Sequence, residues 1–184
     1  MLDDSDKAKL LNLARTTLED HFLRGAIPDF QTDSPELLER KGAFVTLHKE
    51  GELRGCIGQL DPDRELFQVV QHCALSAAFS DPRFPPLQQK ELNGLDIEIS
   101  VLTPFRRVES IEEIDVGSHG LYIVRDHFRG LLLPQVAVQY RWDRVTFLEQ
   151  TCNKAGLNES AWKDPQTVIY IFEAEVFSEP VSSA

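Results

Sequence analysis

Two runs rich in β-forming residues, AFVTLHK at 43–49 and LRGCIGQL at 53–60, stand only three residues apart, and this spacing restricts the fold more than any other feature of the chain. The intervening EGE is far too short for the crossover of a dozen or more residues that parallel neighbours need, so the two runs must form an antiparallel hairpin. If the turn closes a two- or four-residue loop, Cys56 comes opposite Val45 and His48 points to the other face. GLYIV and RGLLLP flank Asp126 and His127 in the same manner and read as a second hairpin. In LDIEISVL, Leu95, Ile97, Ile99 and Val101 alternate with polar residues, as a half-buried strand requires. TVIYIFEAEVF reads as one long final strand.

Helices fall between these strands. Leu10, Leu11, Ala14, Leu18 and Phe22 recur at helical spacing over 6–24, with Ser5 as the N-cap and Gly25 just past the end. DPDRELFQVVQHCALSAAFS starts with Asp61 as N-cap and Pro62 in the first turn, and its stripe is Leu66, Val69, Val70, Cys73 and Ala77. From Asp143 to Ala155 the apolar positions Val145, Leu148, Cys152 and Ala155 predict a helix that Gly156 ends. DPRFPPL cannot be helical, because prolines lack the donor and clash with the preceding turn. With hairpins and single strands scattered among helices and no regular βαβα order, the prediction is an α+β fold, a mostly antiparallel sheet flanked by helices. At 184 residues the chain suits one domain.

Composition excludes several classes of function. A net charge of −11 opposes binding to duplex nucleic acid or an anionic membrane, both of which call for a basic face. The acidic, polar start MLDDSDKAKL does not resemble a secretory signal, and no apolar run approaches the roughly 20 residues of a membrane span. A cytoplasmic protein is expected. Cys56, Cys73 and Cys152 are odd in number and widely spaced, so neither a disulfide framework nor a CxxC zinc site is encoded. Cys73 and Cys152 lie on apolar helix stripes and read as core. No histidine pair has metal-ligand spacing, and GxGxxG, P-loop, GxSxG and HExxH motifs are missing, so no metal or cofactor is expected.

LRGCIG carries the most chemistry. Side chains alternate along a strand, so Arg54, Cys56 and Gly58 share a face, where a guanidinium beside a thiol favours the thiolate and glycine leaves room for a ligand or another backbone. Cysteine is also a common core residue, and the glycines suit a bulge equally well. His119, between glycines in GSHGLYI, is placed to reach a neighbouring strand's thiol or to stay in solvent. Asp81 and Arg83 in the stiff DPRFPP loop either bind a ligand or close the helix exit, with Arg83 pairing a carboxylate such as Glu98. Gln135, after the apolar LLLP, either orients a substrate or caps the strand exit.

Taken in order, LRGCIG (53–58), DPRFPPL (81–87), EISVLTP (98–104), HGLYI (119–123), GLLLPQVA (130–137) and FLEQTCNKAGL (147–157) resemble the AMMECR family, whose microbial members are labelled protein A of the AmmeMemoRadiSam set. The resemblance runs from about Leu10 to Phe177. It implies an α+β fold of two unequal lobes with LRGCIG near a cleft between them, and an association with Memo-like and radical SAM proteins. It carries no reaction. Two functions are therefore expected to compete. In one, Cys56 is an activated thiol with Arg54 stabilising its anion, and His119, Asp81 or Arg83 positions a small anionic substrate. In the other, the same surface is a binding or scaffold module without chemistry, its acidic character suiting a basic partner.

Overall fold

In this computed structural model, which describes residues 2–60 and 63–180, the chain forms two compact units. The first comprises Met1–Leu102 and Glu175–Ala184, and the second is the intervening Thr103–Ala174. Each has its own antiparallel strand pairs and its own helices, so the α+β reading holds.

The first unit opens with helix α1 (Asp4–Arg24), whose N-cap is Asp3, accepting from the Asp6 amide, rather than Ser5. Gly25 ends it in the left-handed conformation at φ 66°, a cost-free position only for glycine. A short helix, α2 (Pro35–Leu38), precedes the hairpin of β1 (Ala43–Lys49) and β2 (Glu52–Gln59). Glu50 and Gly51, both at positive φ, make the two-residue turn. Helix α3 spans Leu66–Phe79 with a Glu65–Gln68 capping box. It thus starts later than the sequence suggests, and the expected caps Asp61 and Pro62 lie outside the described residues. Strand β3 (Leu95–Leu102) then pairs with β1, so that Val45, Leu47, Ile97 and Ile99 share the face covered by α1 and α3.

The second unit holds the two-residue β4 (Arg106–Arg107), the hairpin of β5 (Gly120–Arg125) and β6 (Phe128–Leu132), and helices α4 (Pro134–Gln139) and α5 (Arg144–Lys154). Its core gathers Leu121, Ile123, Phe147, Leu148, Cys152 and Ile171. Val145, expected on the apolar stripe of α5, is 41% exposed; Phe147 and Thr151 take the inward positions instead.

The expected final strand is two strands in two sheets. β7 (Val168–Phe172) pairs with β4 and β5, while β8 (Ala174–Ser178) joins β3, giving sheet orders β4-β7-β5-β6 and β2-β1-β3-β8. The break falls at Glu173, whose amide donates to Thr103 Oγ1 while its carbonyl accepts from the Thr103 amide. Both ends of the second unit meet at this pair of bonds.

Candidate functional site

The register of the first hairpin decides what surrounds Cys56. Although the turn is the expected two-residue loop, the pairing slips by one between Leu47 and His48, leaving Arg54 as the extra residue of a bulge. Cys56 consequently faces Thr46, not Val45. The uninterrupted pairing of β1 with β3 places Thr46 and His48 on one face, so His48 lies on the Cys56 side of the sheet, contrary to expectation. No hydrogen bond joins His48 to the thiol. Thr46 Oγ1 donates to Cys56 Sγ at 3.2 Å, and Glu98 on β3 stands opposite Thr46, completing a row of Cys56, Thr46 and Glu98.

The two glycines of LRGCIG have separate structural reasons. A Cβ on Gly55 would lie 2.2 Å from the Ala77 carbonyl oxygen, so its absence lets the backbone of α3 rest directly on β2. Gly58 faces Phe44, and a Cβ there would fall 2.2 Å from the Phe44 ring. The space expected for a ligand at Gly58 is filled by that ring.

β2 is an edge strand, and the DPR segment covers its outer side. The buried Asp81 carboxylate accepts the Cys56 amide at 2.9 Å, the Arg83 amide at 3.1 Å, and the Arg83 guanidinium at 3.0 and 2.7 Å. Arg83 Nη2 reaches the Cys56 carbonyl at 3.4 Å. Asp81 and Arg83 thus grip both backbone groups of Cys56 as a neighbouring strand would. Ser80, rather than Asp81, closes α3, and Arg83 pairs with Asp81, rather than with Glu98. The Arg83 guanidinium beside Asp81 holds that carboxyl well below the usual carboxylate range.

Arg54 lies elsewhere. Its guanidinium makes a two-pronged ion pair with Glu91 at 3.0 and 3.1 Å, at the end of which Lys49 adds a third contact. Arg54 is therefore held by a carboxylate, not by the thiol. Burial pushes the Cys56 thiol above its ordinary value; the Thr46 hydroxyl and Arg83 pull the other way, and Asp81 and Glu98 push it further up. The expected arginine-stabilised thiolate is replaced by a neutral, hydrogen-bonded thiol. Cys73 and Cys152 are buried as expected, and burial takes Cys73 up to about 12.

His119 and Gln135 belong to the second unit. His119 Nδ1 accepts the Asp115 amide at 3.0 Å and so closes its own turn. Gln135, expected at a strand end, sits exposed in the first turn of α4, a helix that Pro134 starts. Among the described residues no cluster of three or more His, Cys, Asp or Glu side chains is arranged to hold a metal ion, and no helix is long and apolar enough to cross a membrane.

Sequence reasoning missed Thr46 and Glu91. Thr46 was hidden by the bulge. Glu91 has a local signal, the Gln88–Glu91 capping box of the 3-10 turn over Gln89–Gly94, but nothing in it points to Arg54. Asp81→Ala is expected to cost about 2 kcal/mol, the scale of a buried donor losing its acceptor, and to speed hydrogen exchange of the Cys56 amide. A denaturant titration with amide-resolved exchange checks both.

The comparisons agree with this architecture. Residues 11–177 match the family model described as AMMECR1. A protein of Methanothermobacter thermautotrophicus is 45% identical over 181 residues, covering 92% of both chains. One of Thermococcus gammatolerans is 43% identical over 181 residues, covering 92% of this chain and 88% of its own. The crystal structure of an uncharacterized protein from Pyrococcus horikoshii superposes with a TM-score of 0.87 at 40% identity, covering 93% of this chain and 90% of that one. A family model that spans most of the chain and a fold shared at this identity lead to one conclusion: this chain belongs to the AMMECR1 family.

Proposed function

We propose that the chain works as a recognition module without covalent chemistry, in which the Cys56 strand and the DPR loop present a surface to a basic partner. The observation that carries this reading is the state of the three groups that thiol chemistry would use. Arg54 is committed to Glu91, Arg83 to Asp81, and the thiol is neutral and bonded by Thr46. With both arginines neutralised, the charge left around Cys56 belongs to Glu98 and Asp96, half-buried on β3. The whole unit leans the same way: 20 acidic residues against 11 basic ones give it −9, whereas 10 against 8 give the second unit −2. Such a field attracts a basic protein surface and speeds its encounter, with a strong dependence on salt. Memo-like and radical SAM proteins, implied by the resemblance, are the first partners to assay in this reading.

The competing reading, an activated thiol acting on a small anion, draws on the downward pull of Thr46 and Arg83 on Cys56. Alkylation of Cys56 in the native protein, followed by mass spectrometry from pH 6 to 10, separates the two. A rate that rises only above the reference thiol value of about 8.5, together with a Cys56→Ser chain that still complements a deletion strain, is the expected result. Rapid alkylation well below that value, lost in Arg83→Ala, would establish the thiol enzyme instead.

A further inference from the structure

The second unit contains a cavity of about 210 Å³, bounded by the segment after β4 and by the segment leading into β7. It shares no residue with the Cys56 strand. Its apolar walls include Val108, Ile111 and the Trp162 ring. Two cations line it, Arg107 and Lys163, both exposed, and neither has a carboxylate within ion-pairing distance among the described residues. Lys163 Nζ is held over the Trp162 ring, 5.1 Å from its centroid. The Trp162 indole N–H is shielded from solvent and has no acceptor, one of three such side-chain atoms among the described residues. Buried donors are nearly always paired, so an orphan in a cavity wall marks a place for an acceptor that has to come from outside the chain.

The remaining polar groups are already engaged. Asp164 is paired with Arg125 at 3.0 Å, the Thr167 hydroxyl donates to the Ala161 carbonyl, and the Ser110 hydroxyl is bonded to Glu112. Glu109 is the one lining carboxylate without an ion-pair partner. The cavity therefore carries a positive balance in a chain of net charge −11. A void of roughly 150 Å³ accepts benzene, so this one takes a single ring with a charged group.

We propose that this cavity binds a small carboxylate bearing an apolar ring or branched group, with Arg107 and Lys163 meeting the charge, Trp162 supplying the indole donor, and Val108 and Ile111 covering the apolar part. Both cations are at the surface, so replacing either leaves the fold intact and tests the charge contact alone.

The chain has two tryptophans, and their indole N–H signals in a ¹⁵N–¹H correlation spectrum give a direct reading, with Trp142 as the internal control. Benzoate is the probe, and Trp142→Phe assigns the two signals. The expected result is a saturable shift of the Trp162 signal at millimolar benzoate while Trp142 stays in place, with no such shift from neutral benzamide. Arg107→Ala and Lys163→Ala should each weaken binding by about fivefold, the scale of one exposed charge contact, and Glu109→Gln should tighten it. No saturable shift with benzoate, an equal shift with benzamide, or undiminished binding in both cation variants would overturn the assignment.

Discussion

Gly55→Ala is expected to destabilise the first unit by about 3 kcal/mol, at the upper end of the range for overpacking a core, because the added methyl would meet backbone. The Ala77 carbonyl oxygen would be 2.2 Å away and its carbon 3.1 Å away, and neither can turn aside as a side chain would. Relief would require all of α3 to lift off β2, opening the contacts of Val70, Cys73 and Ala74 beneath it. Thermal and denaturant unfolding check the loss. Gly94→Ala is the control, since a Cβ there meets nothing within 4 Å, and it should be nearly neutral. A cost below about 1 kcal/mol at Gly55 would mean that the helix yields more readily than close packing allows.

Glu91→Gln is expected to cost a further amount of similar size, about 3 kcal/mol, for an electrostatic reason. The Arg54 and Glu91 side chains are only 13% and 11% exposed, and removing one member of a shielded pair leaves the other charge uncompensated. Arg54 Nη1 already has no hydrogen-bond partner, so the guanidinium has no alternative acceptor to turn to. The effect carries a pH signature. Hydrogen bonding to Arg54 holds the Glu91 carboxyl down at about 2 against an ordinary 4.5. A carboxyl depressed in the folded state adds stability that is complete above its unfolded value and lost as pH falls through its folded value. The gap between wild type and variant should therefore be constant above about pH 5 and shrink toward pH 2, as measured by urea unfolding across that range. Replacing Arg54 and Glu91 together by apolar residues should recover part of the loss, because no unpaired charge is then left behind.

What the sequence made legible follows from how local each signal is. Both hairpins and β3 are encoded within a few residues, by turn chemistry and alternation, and they appear where expected. The bulge at Arg54 is not encoded in that way, and one slipped residue exchanges Val45 for Thr46 as the neighbour of Cys56. The division of TVIYIFEAEVF is equally hidden, because Glu173 breaks a continuous β pattern only through its bonds to Thr103, 70 residues earlier. DPRFPP was read as a stiff loop near the site, and it is. That its aspartate and arginine grip the Cys56 backbone depends on tertiary placement, as does the pairing of Arg54 with Glu91, 37 residues away. The sequence thus named several residues of the site correctly while misplacing their partners.

The insertion of the second unit between β3 and β8 also has a consequence for synthesis. β1, β2 and β3 are complete once residue 102 has been made, but the strand that finishes their sheet is not made until residues 174–178, after the entire second unit. A nascent chain therefore carries a sheet with an open β3 edge through the translation of about 70 residues, several seconds or more at typical elongation rates. Ribosome-stalled chains ending before residue 174 should accordingly be the species most in need of a chaperone, and the second unit, contiguous in sequence, is able to fold before the first is finished.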